Sequence, residues 1–113
     1  VLDFINAGKD VVMDIDVQGA AQVRACRDLS VCKALVDLFV MPPSEEELLA
    51  RLSGRGTDAE DVIALRMKNA LEEMSHWKQY QYCLLSGERE DDYARFTSLL
   101  TAERLRVSRL AIS

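Results

Sequence analysis

Three arginines, Arg51, Arg55 and Arg66, follow one another at intervals of four and eleven residues, with Arg55 set between Gly54 and Gly56. A guanidinium stays charged and donates two parallel hydrogen bonds, a geometry that fits the oxygens of a phosphate. Glycine on both sides of Arg55 leaves the backbone free to swing that group in and out. Phosphoryl transfer asks a protein mainly for positioning and charge neutralisation, so converging arginines suit it. The same residues also fit a solvated surface run, since Glu45, Glu46, Glu47, Asp58, Glu60 and Asp61 stand nearby as weak ion-pair partners. A second pair, Asp14 and Asp16, lies two apart, so on a strand both carboxylates share a face. At the C-terminal end of a strand they can take Mg²⁺ through water or accept hydrogen bonds from a base or hydroxyl. Equally, they can cap the backbone amides of the helix that follows.

Composition narrows the chemistry. A net charge of -5 argues against nucleic acid or an anionic membrane as the main partner, so a bound anion needs a local cluster. Apolar content of 49% and charged content of 29% over 113 residues describe one modest globular domain. Cys26, Cys32 and Cys83 are odd in number and lack Cys-x-x-Cys spacing, which reads as reduced thiols in the cytoplasm. His76 is the lone histidine and no metal site is expected. The apolar run ALVDLFVM, residues 34–41, is too short to cross a membrane and is broken by Asp37. No Gly-x-x-x-x-Gly-Lys-[Ser/Thr] phosphate loop occurs, and Gly8-Lys9-Asp10 does not supply one. His76-Trp77 reads as packing, and Arg104, Arg106 and Arg109 as the polar face of the last helix.

These side chains need elements to hold them. VLDFINAGKD predicts a helix tail that ends at a left-handed Gly8. VVMDID, residues 11–16, predicts a strand that passes into a helix running to about Arg27. Residues 34–41 predict a second strand covered on both faces, stopped by Pro42 and Pro43. Ser44 with Glu47 forms a capping box for a helix through about Leu52, which Gly54 and Gly56 break. Thr57 or Asp58 would cap the next helix, whose Ile63, Met67, Ala70, Leu71 and Met74 share one apolar face. A short strand from Tyr82 and a long amphipathic helix from about Asp91 to Leu110 complete the chain. The order (α)βαβααβα predicts an α/β layered fold with a parallel sheet.

DIDVQGA at 14–20, MPPS at 41–44, RLSGRGTD at 51–58, EEMSHW at 72–77 and AERLR at 102–106 together resemble guanylate kinase, in that family's order and spacing. The resemblance runs over essentially all 113 residues, is most specific from Val40 to Trp77, and covers only the C-terminal part of the family's catalytic domain. It implies a partial P-loop NTPase-type parallel sheet with flanking helices and a helical lid over about 50–75, lacking the P-loop strand. It also implies transfer of the ATP γ-phosphoryl group to GMP with Mg²⁺. Arg55 and Arg66 match the family's catalytic arginines, and Arg51 a third lid arginine at the ATP phosphates. Asp14 and Asp16 match the acidic GMP side, Asp16 most directly as a guanine contact.

The departures are equally specific. Where the family usually reads Tyr-Asp-Tyr-Val-Ile-Val-Asn-Asp, this chain has Tyr80-Gln81-Tyr82-Cys83-Leu84-Leu85-Ser86-Gly87, so Ser86 and Gly87 stand in the adenosine region. Val17 replaces a usually larger residue. The opening at Val1 inside a helical pattern reads as a fragment, inactive alone because the phosphate cradle is missing. In the family's sheet the missing strand lies between the strands matching 11–16 and 35–41. Its loss predicts direct pairing of those two strands, or a homodimer or strand swap through exposed edges. The alternative function is a non-catalytic interaction module that keeps the guanylate-kinase-like fold.

Overall fold

A computed structural model describes residues 2–54 and 59–110, apart from the Leu2 side chain. The first helix, α1 (Leu2–Asn6), closes as its sequence predicts. Gly8 takes a φ of 78°, its N–H bonds Ile5 O at 3.0 Å, and Lys9 N–H bonds Phe4 O at 2.9 Å. That reciprocal pair satisfies two carbonyls which a helix end would otherwise leave without donors.

Residues 11–16 depart from expectation, because they form neither strand nor helix. A strand is held by a ladder, and no described segment pairs with this one, so Val12 is 74% exposed. The expected direct pairing with the strand at 35–41 is therefore not made within the chain. After it, α2 (Val17–Arg24) stops short of Arg27. A further helix missed by the sequence reading, α3 (Leu29–Ala34), starts where Asp28 accepts Ser30 N–H at 2.9 Å and Val31 N–H at 3.3 Å. α3 takes Ala34 from the expected strand and residues 35–37 join neither element, which leaves β1 as Leu38–Met41.

The strand β2 (Tyr82–Leu85) runs parallel to β1, with Leu38 opposite Tyr82 and Met41 opposite Leu85. Parallel strands need a long crossover, and here it holds α4 (Glu45–Ser53) and α5 (Glu60–Met74). Ser44 Oγ accepts Glu47 N–H at 3.1 Å, the expected cap, but the Glu47 carboxylate turns to Arg51 instead of closing the box. On α5 the stripe Ile63, Met67, Ala70, Leu71 and Met74 is half-buried while its other side chains are exposed. Ile63 and Met67 face Leu49 of α4 across an apolar groove. The last helix, α6 (Arg89–Arg104), ends before the expected Leu110, and a 3₁₀ turn covers Val107–Arg109. The segment about 50–75 thus spans the end of α4 and all of α5; its residues 55–58 lie outside the described residues.

Two carboxylates tie these elements together. Asp37 accepts the Arg24 guanidinium of α2 at 2.7 Å and Gln81 N–H at 2.7 Å, while Asp37 N–H bonds the Gln81 side chain at 3.1 Å. Arg24 also lies over the Tyr80 ring, 4.7 Å from its centroid, and Tyr80 meets Phe39 edge-on at 5.0 Å. Glu103, buried in α6, accepts the Tyr82 hydroxyl and pairs with Arg106 at 2.7 Å and Arg109 at 3.5 Å. The last arginines are therefore not simply a polar helix face. Arg104 pairs with Asp10 at 2.7 Å, both widely exposed, and joins the two ends of the chain.

The hydrophobic layer is thin. Among the described residues, Ala20, Leu48 and Leu84 are the buried apolar side chains, while Val40 and Leu85 stay exposed. The radius of gyration is 17.1 Å, against about 13 Å for a compact chain of this length. Polar anchors therefore carry an unusual share of the order.

Asp37→Ala is expected to cost about 2 kcal/mol in urea unfolding, because it strips partners from both Arg24 and Gln81. Arg104→Ala should cost less than about 1 kcal/mol, as expected of an exposed pair; equal losses would contradict this ranking. The Glu103 carboxyl is held below its ordinary value by the Tyr82 hydrogen bond first, then by Arg106 and Arg109. A depressed folded value stabilises above the unfolded carboxylate range and is lost as pH falls through it. The stability advantage over Glu103→Gln should thus be full above about pH 4.3 and shrink on acidification. A pH-independent difference in Tm would rule this out.

Candidate functional site

The C-terminal ends of β1 and β2 gather three of the residues singled out from sequence. Ser86 N–H bonds Met41 O at 2.8 Å and carries the ladder one step beyond β2. Its own carbonyl then accepts Arg51 Nη2–H at 2.9 Å, while Arg51 Nε–H reaches Glu47 Oε1 at 3.3 Å. The helix α4 thus delivers a guanidinium to the place where open α/β sheets bind ligands. A guanidinium has five N–H donors, and these two bonds leave others available for an anion.

The Ser86-Gly87 turn is fixed from α6. Asp92 Oδ2 accepts the Ser86 hydroxyl at 2.8 Å, and Asp92 Oδ1 accepts Gly87 N–H at 2.9 Å. Arg95, one turn further along α6, donates to Leu85 O at 3.2 Å. The Asp92 carboxyl is held below its ordinary value by the Gly87 amide first and the Ser86 hydroxyl next, with Arg95 and Arg51 adding their charge. Neither Asp92 nor Arg95 is found by sequence reasoning. Asp92 follows Glu90 and Asp91 in the acidic first turn of α6. Acidic residues are expected there for the dipole alone, and spacing does not say which one turns back.

Asp14 and Asp16 are not part of this cluster. Asp16 caps α2, accepting Gly19 N–H at 2.7 Å through Oδ1, which realises the capping alternative. An added Cβ at Gly19 would stand 3.2 Å from that oxygen and 3.2 Å from the Ile15 Cβ, so a larger residue there would have to displace them by a few tenths of an ångström. Asp14 is exposed on the unpaired segment, and the strand that would align it with Asp16 is not formed. Among the described residues no hydrogen bond or ion pair joins either aspartate to Arg51, Ser86 or Gly87. Arg66 is on the exposed side of α5. Arg55 lies outside the described residues. No described group of three His, Cys, Asp or Glu side chains is placed to hold a metal ion. No helix among the described residues is long and apolar enough to cross a membrane.

The family model for guanylate kinase matches residues 1–103. The guanylate kinase of Chromohalobacter salexigens is 41% identical over 107 residues, which are 95% of this chain and 47% of the relative. That of Sphingopyxis alaskensis is 44% identical over 106 residues, 94% of this chain and 46% of the relative. That of Photobacterium profundum is 41% identical over 104 residues, 92% and 48% of the two lengths. The chain spans about half the length of the curated relatives it matches.

The two aspartates are separable by stability. Asp16→Ala is expected to cost about 1 kcal/mol through loss of the α2 cap, whereas Asp14→Ala should stay within about 0.5 kcal/mol of the parent. Chemical denaturation of both variants measures this, and an equal cost would refute the cap assignment.

Proposed function

The chain belongs to the guanylate kinase family, and we propose that it is the arginine-bearing part of an enzyme that moves the γ-phosphoryl group of ATP to GMP, giving ADP and GDP. The observation that supports this most is Arg51, held by Ser86 O at the strand ends with N–H groups to spare for a phosphate. In this reading Arg55 and Arg66 are the catalytic arginines, and Arg51 holds the ATP phosphates beside them within a lid over about 50–75. Ser86 and Gly87 border the adenosine. Asp14 and Asp16 face GMP, with Asp16 at the guanine. Phosphoryl transfer gives such groups their role through charge neutralisation in the transition state.

Mg²⁺ would arrive with ATP. Phosphate oxygens and water would supply most of its ligands. The proposed setting is the cytoplasm, with ATP and GMP as the small-molecule partners. The open edge of β1 and the exposed apolar segment 11–16 also support self-association of the isolated chain, as a homodimer or by strand swapping.

The test is reconstitution. The purified chain alone is expected to form no ADP from ATP and GMP above background, because it carries no phosphate-cradling loop. Combined with the P-loop-bearing N-terminal half of a relative, it should gain turnover. In that assembly Arg55→Ala and Arg66→Ala should each lower kcat by ~10³ or more. An assembly that binds both nucleotides without turnover would replace the enzyme by a non-catalytic interaction module.

A further inference from the structure

At Gly87 the Ser86-Gly87 turn is open, since an added Cβ would meet nothing within 4 Å, and hydrogen bonds hold the turn on either side of that position. Those bonds come largely from one helix. On α6, Arg95 takes the Leu85 carbonyl, and Asp92 takes both the Ser86 hydroxyl and the Gly87 amide. With its hydroxyl and the next amide both drawn to Asp92, Ser86 leaves its carbonyl to Arg51 at 2.9 Å. The chain of contacts therefore runs from α6 through the turn to the guanidinium of α4.

We propose that Asp92 is a positioning residue: by clamping the Ser86-Gly87 turn it fixes the carbonyl that aims Arg51 at a phosphate. The proposal rests on the phosphate-holding role of Arg51 given above. The same two hydrogen bonds hold the carboxyl below its ordinary value. Simple electrostatics makes the opposite demand. A carboxylate close to Arg51 and Arg95 lowers the positive potential there, so removing it should tighten anion binding. A clamp predicts that removing it loosens anion binding, because an unaimed guanidinium must be ordered first.

The experiment uses the 113-residue chain, Asp92→Ala and Asp92→Asn, with inorganic tripolyphosphate as the probe. Asparagine keeps an acceptor for the Gly87 amide and a group for the Ser86 hydroxyl, so it also guards against a failure of the alanine variant to fold. Slow rotation of the Arg51 guanidinium, read by nitrogen NMR as distinct Nη signals, is expected in the parent and in Asp92→Asn. Averaged signals are expected in Asp92→Ala. The tripolyphosphate Kd should rise about tenfold in Asp92→Ala and much less in Asp92→Asn. Unchanged Arg51 signals in Asp92→Ala, averaged signals in the parent, or a lower Kd in Asp92→Ala would each overturn the clamp. If only Asp92→Asn folds, averaged Arg51 signals in it would overturn the clamp and distinct ones support it. A parent that holds Arg51 in place yet ignores tripolyphosphate would instead defeat the phosphate role of Arg51. The NMR comparison would still decide what Asp92 does.

Discussion

Parallel strands cannot be joined by a tight turn, so bonds made outside the connection must fix their register. Here Asp37 does this. Standing just before β1, its carboxylate accepts the Gln81 N–H just before β2, and its own N–H donates to the Gln81 side-chain oxygen in return. Arg24 closes the group from α2, stacked on Tyr80, which in turn meets Phe39 of β1. With the entrance of the strand pair locked, Met41 and Leu85 come level at its exit.

The site depends on that level exit. Ser86 can reach Met41 O only in this register, and Arg51 can reach Ser86 O only if α4 leaves β1 at the right height. At the entrance end, Glu103 joins α6 to β2 by way of Tyr82 and gathers Arg106 and Arg109. The helix that clamps the turn through Asp92 is thus itself held near its opposite end. A thin apolar core accepts this arrangement because charge-assisted bonds stand at both ends of the strand pair.

Local patterns were legible where one segment decides the outcome. Gly8 at a helix end, the Ser44 cap, the apolar stripe of α5 and the start of β2 at Tyr82 all follow from short-range chemistry. The strand expected at 11–16 failed because β-branched composition needs a partner ladder, which no local pattern can report. The helix α3 was hidden because Leu29–Ala34 is a single short amphiphilic stretch that merges into the apolar run before β1. At the site, the resemblance singled out Arg51, Ser86 and Gly87 separately, and the bond between Arg51 and Ser86 O is seen only in the structure, whereas Asp92 was masked by its acidic neighbours. Long-range pairings such as Arg24 with Asp37 and Arg104 with Asp10 have no signature in spacing at all.

The crossover from β1 to β2 has a consequence for how the chain can change. Its closure entropy rises only logarithmically with length, so doubling a flexible connection adds about 0.6 kcal/mol. Since Asp37 and Gln81 pin the strands at their entrance, residues inserted or deleted between α4 and α5 leave that pinning untouched. The length of that connection is therefore not what holds the strand register. The strand register, fixed by two residues outside it, is far less forgiving.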